Sequence, residues 1–125
     1  METISSYKDL IVWQRASELA VALYELTAQF PESEKFALSN QMQRAAVSIV
    51  SNIAEGRHRG SRKDFRRFLY IAFASGAELE AQIFIAKKLK ETSACNYVYV
   101  DSLLNETMRM LNAMIQKLSN QEARS

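Results

Sequence analysis

The sequence predicts an all-α fold, an antiparallel up-down-up-down four-helix bundle. Glycine occurs three times and proline once in 125 residues, whereas strands and tight turns use both freely. Alanine, leucine, glutamate, lysine, glutamine and methionine, all good helix formers, recur throughout. Apolar residues fall at three-and-four spacing in four segments joined by short links. No internal repeat, low-complexity tract or second domain is visible, so residues 1–125 read as one domain with frayed ends at 1–6 and 119–125.

The first segment spans about Lys8 to Gln29, with Trp13, Ala16, Ala20, Leu23 and Thr27 on one face and Leu10, Leu19 and Leu26 widening it. Phe30-Pro31 ends it, because proline disfavours a helical residue before it. Ser39 is the expected N-cap of the second helix, whose stripe is Met42, Ala45, Ala46, Ile49, Val50 and Ile53. Gly56 is its expected C-cap. Ser61 is placed to cap the amide of Asp64 and start a third helix that runs to about Lys90 through Phe65, Phe68, Leu69, Ala72, Ala77, Leu79, Ile83, Ala86 and Leu89. Within it Ser75-Gly76-Ala77 suggests close approach of another helix. The fourth helix starts between Ser93 and Val100 and ends near Leu118, with Leu103, Leu104, Thr107, Met110, Leu111, Met114, Ile115 and Leu118 as its stripe; "NYVYV" at 96–100 has strand-like propensity and blurs its start. Ile11, Val21, Tyr24, Tyr70, Phe73, Phe84 and Ile85 lie off these stripes, and a self-association surface would account for them.

The formal charge is +2, too mild to imply nucleic-acid binding by itself. Cys95 is the sole cysteine, which excludes an internal disulfide and a cysteine-based metal site and fits a reducing compartment. The opening "METISSYKDL" lacks the pattern of a signal peptide. The uncharged stretch Phe68 to Ala77 is too short to span a membrane, which takes about 20 residues. A cytoplasmic protein without a membrane partner is the expectation.

The charge is concentrated in "SNIAEGRHRGSRKDFRRF", residues 51–68. Arg57, Arg59, Arg62, Lys63, Arg66 and Arg67 gather at the bend between helices two and three, opposed from Arg57 onward only by Asp64. Arginine offers bidentate donors to phosphate, and a helix start adds free amides and a favourable dipole. The competing reading is a solvated bend whose cations pair with Asp64 or with acids on neighbouring helices. Phe65 and Phe68 belong to the core stripe, so base stacking and sequence specificity are not expected. Glu55 and His58 have the Glu-x-x-His spacing of di-metal bundles, but such sites need two of these motifs and the chain has one histidine. No nucleophile–base pair is evident, so neither catalytic residue, metal nor cofactor is assigned. Arg44, Asn52, Glu55, Ser75 and Glu78 are read as a structural polar network, with an Arg44–Glu78 bridge as the first expected pairing and Glu80 as the second choice.

Three stretches carry a resemblance. "YKDLIVWQRASELA", "FPESEKFALSNQMQRAAVSIVSNIAEG" and "SRKDFRRFLYIAFASGAELEAQI" resemble, in this order along the chain, the four-helix-bundle protein family encoded in intervening sequences of 23S ribosomal RNA genes. Val50 departs from the pattern, since many relatives carry proline there. The resemblance implies a ring-like homopentamer. It also implies kinship with the accessory variability determinant of diversity-generating retroelements, a basic pentamer that binds nucleic acid and a reverse transcriptase. Two functions are therefore expected to compete: weak, non-specific binding of RNA or DNA backbone at the basic bend, or a protein–protein scaffold such as an accessory subunit of a reverse transcriptase.

Overall fold

The computed structural model describes residues 6–124; the expectations for residues 1–5 and for Ser125 lie outside the described residues. Four helices make up most of it: α1 (Ile11–Thr27), α2 (Asn40–Arg59), α3 (Arg62–Lys88) and α4 (Val98–Arg124). Helices consecutive in sequence pack on one another, and α4 closes back on α1. Contacts across the interfaces step in opposite directions along the paired helices. Arg66 near the start of α3 pairs with Glu122 near the end of α4, and Lys87 near the end of α3 with Asp101 near the start of α4. Gln43 early in α2 donates to Thr27 at the end of α1. The neighbours are therefore antiparallel, and the fold is an all-α four-helix bundle.

Most of the predicted stripe positions form the core, but Ala77 faces outward on α3, and Trp13, Ala20, Val50, Phe65 and Leu89 are only half-buried at its edge. Ala16, Leu19, Leu23, Met42, Ala46, Ile49, Ile53, Leu69, Ala72, Leu79, Leu111 and Thr107 are buried between the helices. The ends differ from the expectations in instructive ways. Ser6 accepts the Lys8 amide and sets a tight turn over Tyr7–Asp9, so α1 begins only at Ile11. Ser39 does not cap α2: it has helical torsions, because a wide turn over Lys35–Ser39 runs straight into the helix and Asn40 already donates to the Ala37 carbonyl. Valine at position 50 leaves α2 unbroken.

Gly56 does not end α2. It lies buried inside the helix, where a Cβ would sit 2.6 Å from Phe68 Cβ. Its lack of a side chain serves close contact with α3. The left-handed C-cap is Gly60, at φ 90°. Gly76 likewise marks a close approach, since a Cβ there would meet the Met108 side chain of α4. At the other end, α4 begins at Val98 inside the strand-like "NYVYV", because Tyr97 and Val100 turn into the core and Asn96 Oδ1 accepts the Val98 amide. α4 also runs past Leu118 to Arg124, so the expected fraying from residue 119 is replaced by helix.

The single chain leaves Ile11, Val21, Tyr24, Tyr70, Phe84 and Ile85 exposed, as their off-stripe positions predicted, while Phe73 is half-buried against the core. Val47, Ile71, Val98 and Tyr99 join the exposed set. This outer apolar face makes α3 long and apolar enough, by length and composition, to cross a membrane, unlike the shorter stretch recognised from sequence. In the bundle, α3 instead packs between α2 and α4.

Candidate nucleic-acid interface

A connection of only two residues joins α2 to α3. Gly60 reverses the chain, and Ser61, in an extended conformation, accepts the Asp64 amide at 3.1 Å. Arg57, His58 and Arg59 occupy the last turn of α2, whereas Arg62 and Lys63 open α3 and Arg66 and Arg67 follow one turn on. The two groups sit in opposite local fields. Cations at the end of α2 are favoured by its dipole; cations at the start of α3 are opposed by theirs, by about 0.3–1 kcal/mol each at an exposed site. Helix stability therefore explains Arg57 and Arg59 but not Arg62 and Lys63.

Three of the six cations are engaged within the fold. Arg59 pairs with Glu55 at 3.0 Å, and its guanidinium lies 4.9 Å from the centre of the Phe68 ring. Arg67 lies 4.6 Å from the same centre and 3.7 Å from Asp64. Arg66 forms an ion pair with Glu122. Phe68 is thus buried partly by arginines, while Phe65 is half-buried against the core. Glu122 escaped the sequence reading because α4 was expected to end before it. Arg57, Arg62 and Lys63 form no ion pair among the described residues; Arg62 and Lys63 are exposed and Arg57 is half-buried. The solvated-bend reading thus accounts for half of the cluster.

The polar residues of the bundle divide into two groups. Ser75 Oγ shares a hydrogen bond of 2.8 Å with Ser48 Oγ, and Asn52 Nδ2 donates to Ser48 Oγ at 3.1 Å and to the Ser48 carbonyl at 2.8 Å. Ser48, which the sequence reading missed, is the hub of this α2–α3 contact; its place next to Ile49 of the α2 stripe was the available signal. Arg44 and Glu78 line one cleft with Asn40, Gln41 and Ser48, but the expected bridge between them is not formed. Arg44 is exposed, and Gln82 Nε2 donates to Glu78 Oε2 at 3.3 Å instead. Glu80 lines a different groove, between α3 and α4.

Glu55 and His58 share the last turns of α2, both exposed, with Glu55 held by Arg59. Among the described residues no group of three or more His, Cys, Asp or Glu side chains converges to hold a metal. Trp13 is half-buried with its ring edge-on to Tyr7, centres 5.1 Å apart, while Tyr24 is exposed. Cys95 is half-buried and free.

Residues 8–113 match the family model of the 23S rRNA-intervening sequence protein. The chain belongs to this family. The match contains the whole α2–α3 connection and stops before the last turns of α4, so the Arg66–Glu122 tie reaches outside it. The chain is also similar to the crystal structure of a protein of unknown function from the S23 ribosomal protein family of Bacteroides thetaiotaomicron. The two are 26% identical with a TM-score of 0.69, over 84% of this chain and 98% of that one. No curated protein matches the sequence.

Proposed function

We propose that the protein is a non-catalytic, cytoplasmic bundle that binds RNA or DNA backbone weakly and without sequence preference through the α2–α3 connection. The observation that carries this reading is the placement of Arg62 and Lys63, exposed and without ion pairs among the described residues, at a helix start where the local dipole opposes them. Placed beside Arg57, they offer donors to phosphate oxygens and nothing to a base edge. The family description names a gene location, not a ligand, so the reading stands on the cations. Assembly as a ring-like homopentamer, implied by the family resemblance, would repeat the cluster and raise its field. It would also cover apolar side chains such as Phe84 and Tyr99, which are 62% and 60% exposed in the single chain.

The same exposed side chains favour a second reading, a scaffold that grips a protein partner such as a reverse transcriptase without touching nucleic acid. A salt titration separates the two. Binding to a generic duplex should weaken with log K falling by about 0.9 per log unit of salt for each phosphate neutralised. Arg57→Gln, Arg62→Gln and Lys63→Gln together should abolish it without changing the mass in light scattering, expected at about five chains. Undiminished binding by the triple variant, or no binding by the parent at low salt, would transfer the case to the scaffold.

A further inference from the structure

The tight turn at Tyr7–Asp9 lies against α2, and together they enclose a cleft of about 450 Å³ lined by Ser6, Tyr7, Lys8, Arg57 and His58. Among the described residues this lining contains no carboxylate. By contrast, the groove between α3 and α4 holds Glu80 and Asp101, that between α1 and α4 holds Glu18 and Glu25, and that between α2 and α3 holds Glu78. Lys8 and Arg57 make no ion pair among the described residues, and His58 lies on the same last turn as Arg57. Arg57 also lines a smaller pocket of about 90 Å³ with Gly60, Ser61 and Arg62, so it links this cleft to the exposed cations at the start of α3.

We infer that the cleft of Lys8, Arg57 and His58 is a binding site for the terminal phosphate of a nucleic-acid strand whose backbone runs on to Arg62 and Lys63. The chemistry favours a terminal over an internal phosphate. A phosphodiester brings one charge between two sugars. A monoester brings close to two charges and three strong acceptor oxygens. The residues lining the cleft can supply an ammonium from Lys8, a guanidinium fork from Arg57 and an imidazole N–H from His58, beside Ser6 and Tyr7. Lys8 belongs to the site only through the fold, because it is remote in sequence from the bend. The inference rests on the proposed backbone binding for the strand, but the phosphate site itself can be tested apart from it.

The test uses the full chain and a short single-stranded RNA carrying either a 5′-phosphate or a 5′-hydroxyl. The phosphorylated strand should bind about tenfold tighter, the effect of one added charge-assisted contact. Lys8→Gln with Arg57→Gln should erase that preference, and Arg57→Lys, which keeps the charge, should retain part of it. Arg62→Gln with Lys63→Gln should weaken both strands alike and leave the preference standing. A second readout needs no nucleic acid. His58 is the sole histidine, so its ring protons give an unambiguous magnetic resonance signal. That signal should shift and saturate with inorganic phosphate and with a nucleoside 5′-monophosphate in the parent, and in neither titration in the Lys8/Arg57 variant. Saturable shifts without RNA binding would uphold the phosphate cleft while the backbone reading fell. Equal affinity for two strands that both bind, a preference that survives Lys8→Gln with Arg57→Gln, or a His58 signal that phosphate does not move would each overturn the inference.

Discussion

The two ends of α3 are built in opposite ways. At its start the chain reverses through Gly60 and Ser61 alone, and the side chains gathered there point charge outward. At its end, residues 89–97 make a longer connection that folds Thr92 and Tyr97 inward. Thr92 is fully buried, its Oγ1 donates to the Ala86 carbonyl at 2.6 Å, and its carbonyl accepts the Tyr97 hydroxyl at 2.8 Å. Lys87 pairs with Asp101 at 2.6 Å, so a cation at this end has its carboxylate close by. The long end buries polar groups that satisfy the chain itself, whereas at the short end Arg57, Arg62 and Lys63 form no ion pair among the described residues. A helix hairpin needs only the first arrangement to be stable, which makes the second the better guide to function.

The comparison can be broken most sharply at Gly56→Ala. The new methyl would press on Phe68 Cβ, an atom anchored to the α3 backbone. Overpacking costs about 1–3 kcal/mol, against about 1 kcal/mol gained in helix propensity. A net fall in denaturant midpoint is expected, and an unchanged or raised midpoint would show that the tight end has slack.

At the long end, Tyr97→Phe should cost about 1 kcal/mol through the lost hydrogen bond. Burial also pushes the Tyr97 phenol above the usual tyrosine range. A raised folded pKa means the neutral phenol is the form the fold favours, so this contribution is complete below about pH 10 and is lost as pH rises through the folded value. Urea midpoints measured from neutral pH to above pH 10 should fall more steeply for the parent than for Tyr97→Phe. Parallel curves would mean that Tyr97 ionises as easily in the fold as outside it.

Arg62→Gln with Lys63→Gln should do the reverse of most substitutions. Removing two cations from the wrong end of a helix dipole should stabilise the fold by a few tenths of a kcal/mol each, roughly, while nucleic-acid binding weakens. A thermal midpoint that falls together with binding would assign both residues a structural role and erase the contrast between the ends. The smallest effect is expected at Arg44→Ala, between the ends. An exposed arginine without an ion pair among the described residues should cost no more than about 0.5 kcal/mol. A loss of several kcal/mol would restore the buried Arg44–Glu78 bridge that the sequence suggested.

The sequence by itself determined the four helices, their antiparallel order and most of the core. Those features depend on periodicity and on short connections, both local properties, and Leu19, Ile49, Leu69 and Leu111 could be assigned inside from spacing alone. It also located the basic bend and the Ser61 cap, because neighbouring residues define them. Only the tertiary structure decided which cations are spent and which are available. Arg66 meets Glu122 and Lys8 joins Arg57 through packing of helices far apart in the chain, and no spacing rule reaches across such distances. The same holds for Gly56. A glycine near a helix end reads locally as a cap, yet the close approach of Phe68 from the next helix is what requires it to have no side chain.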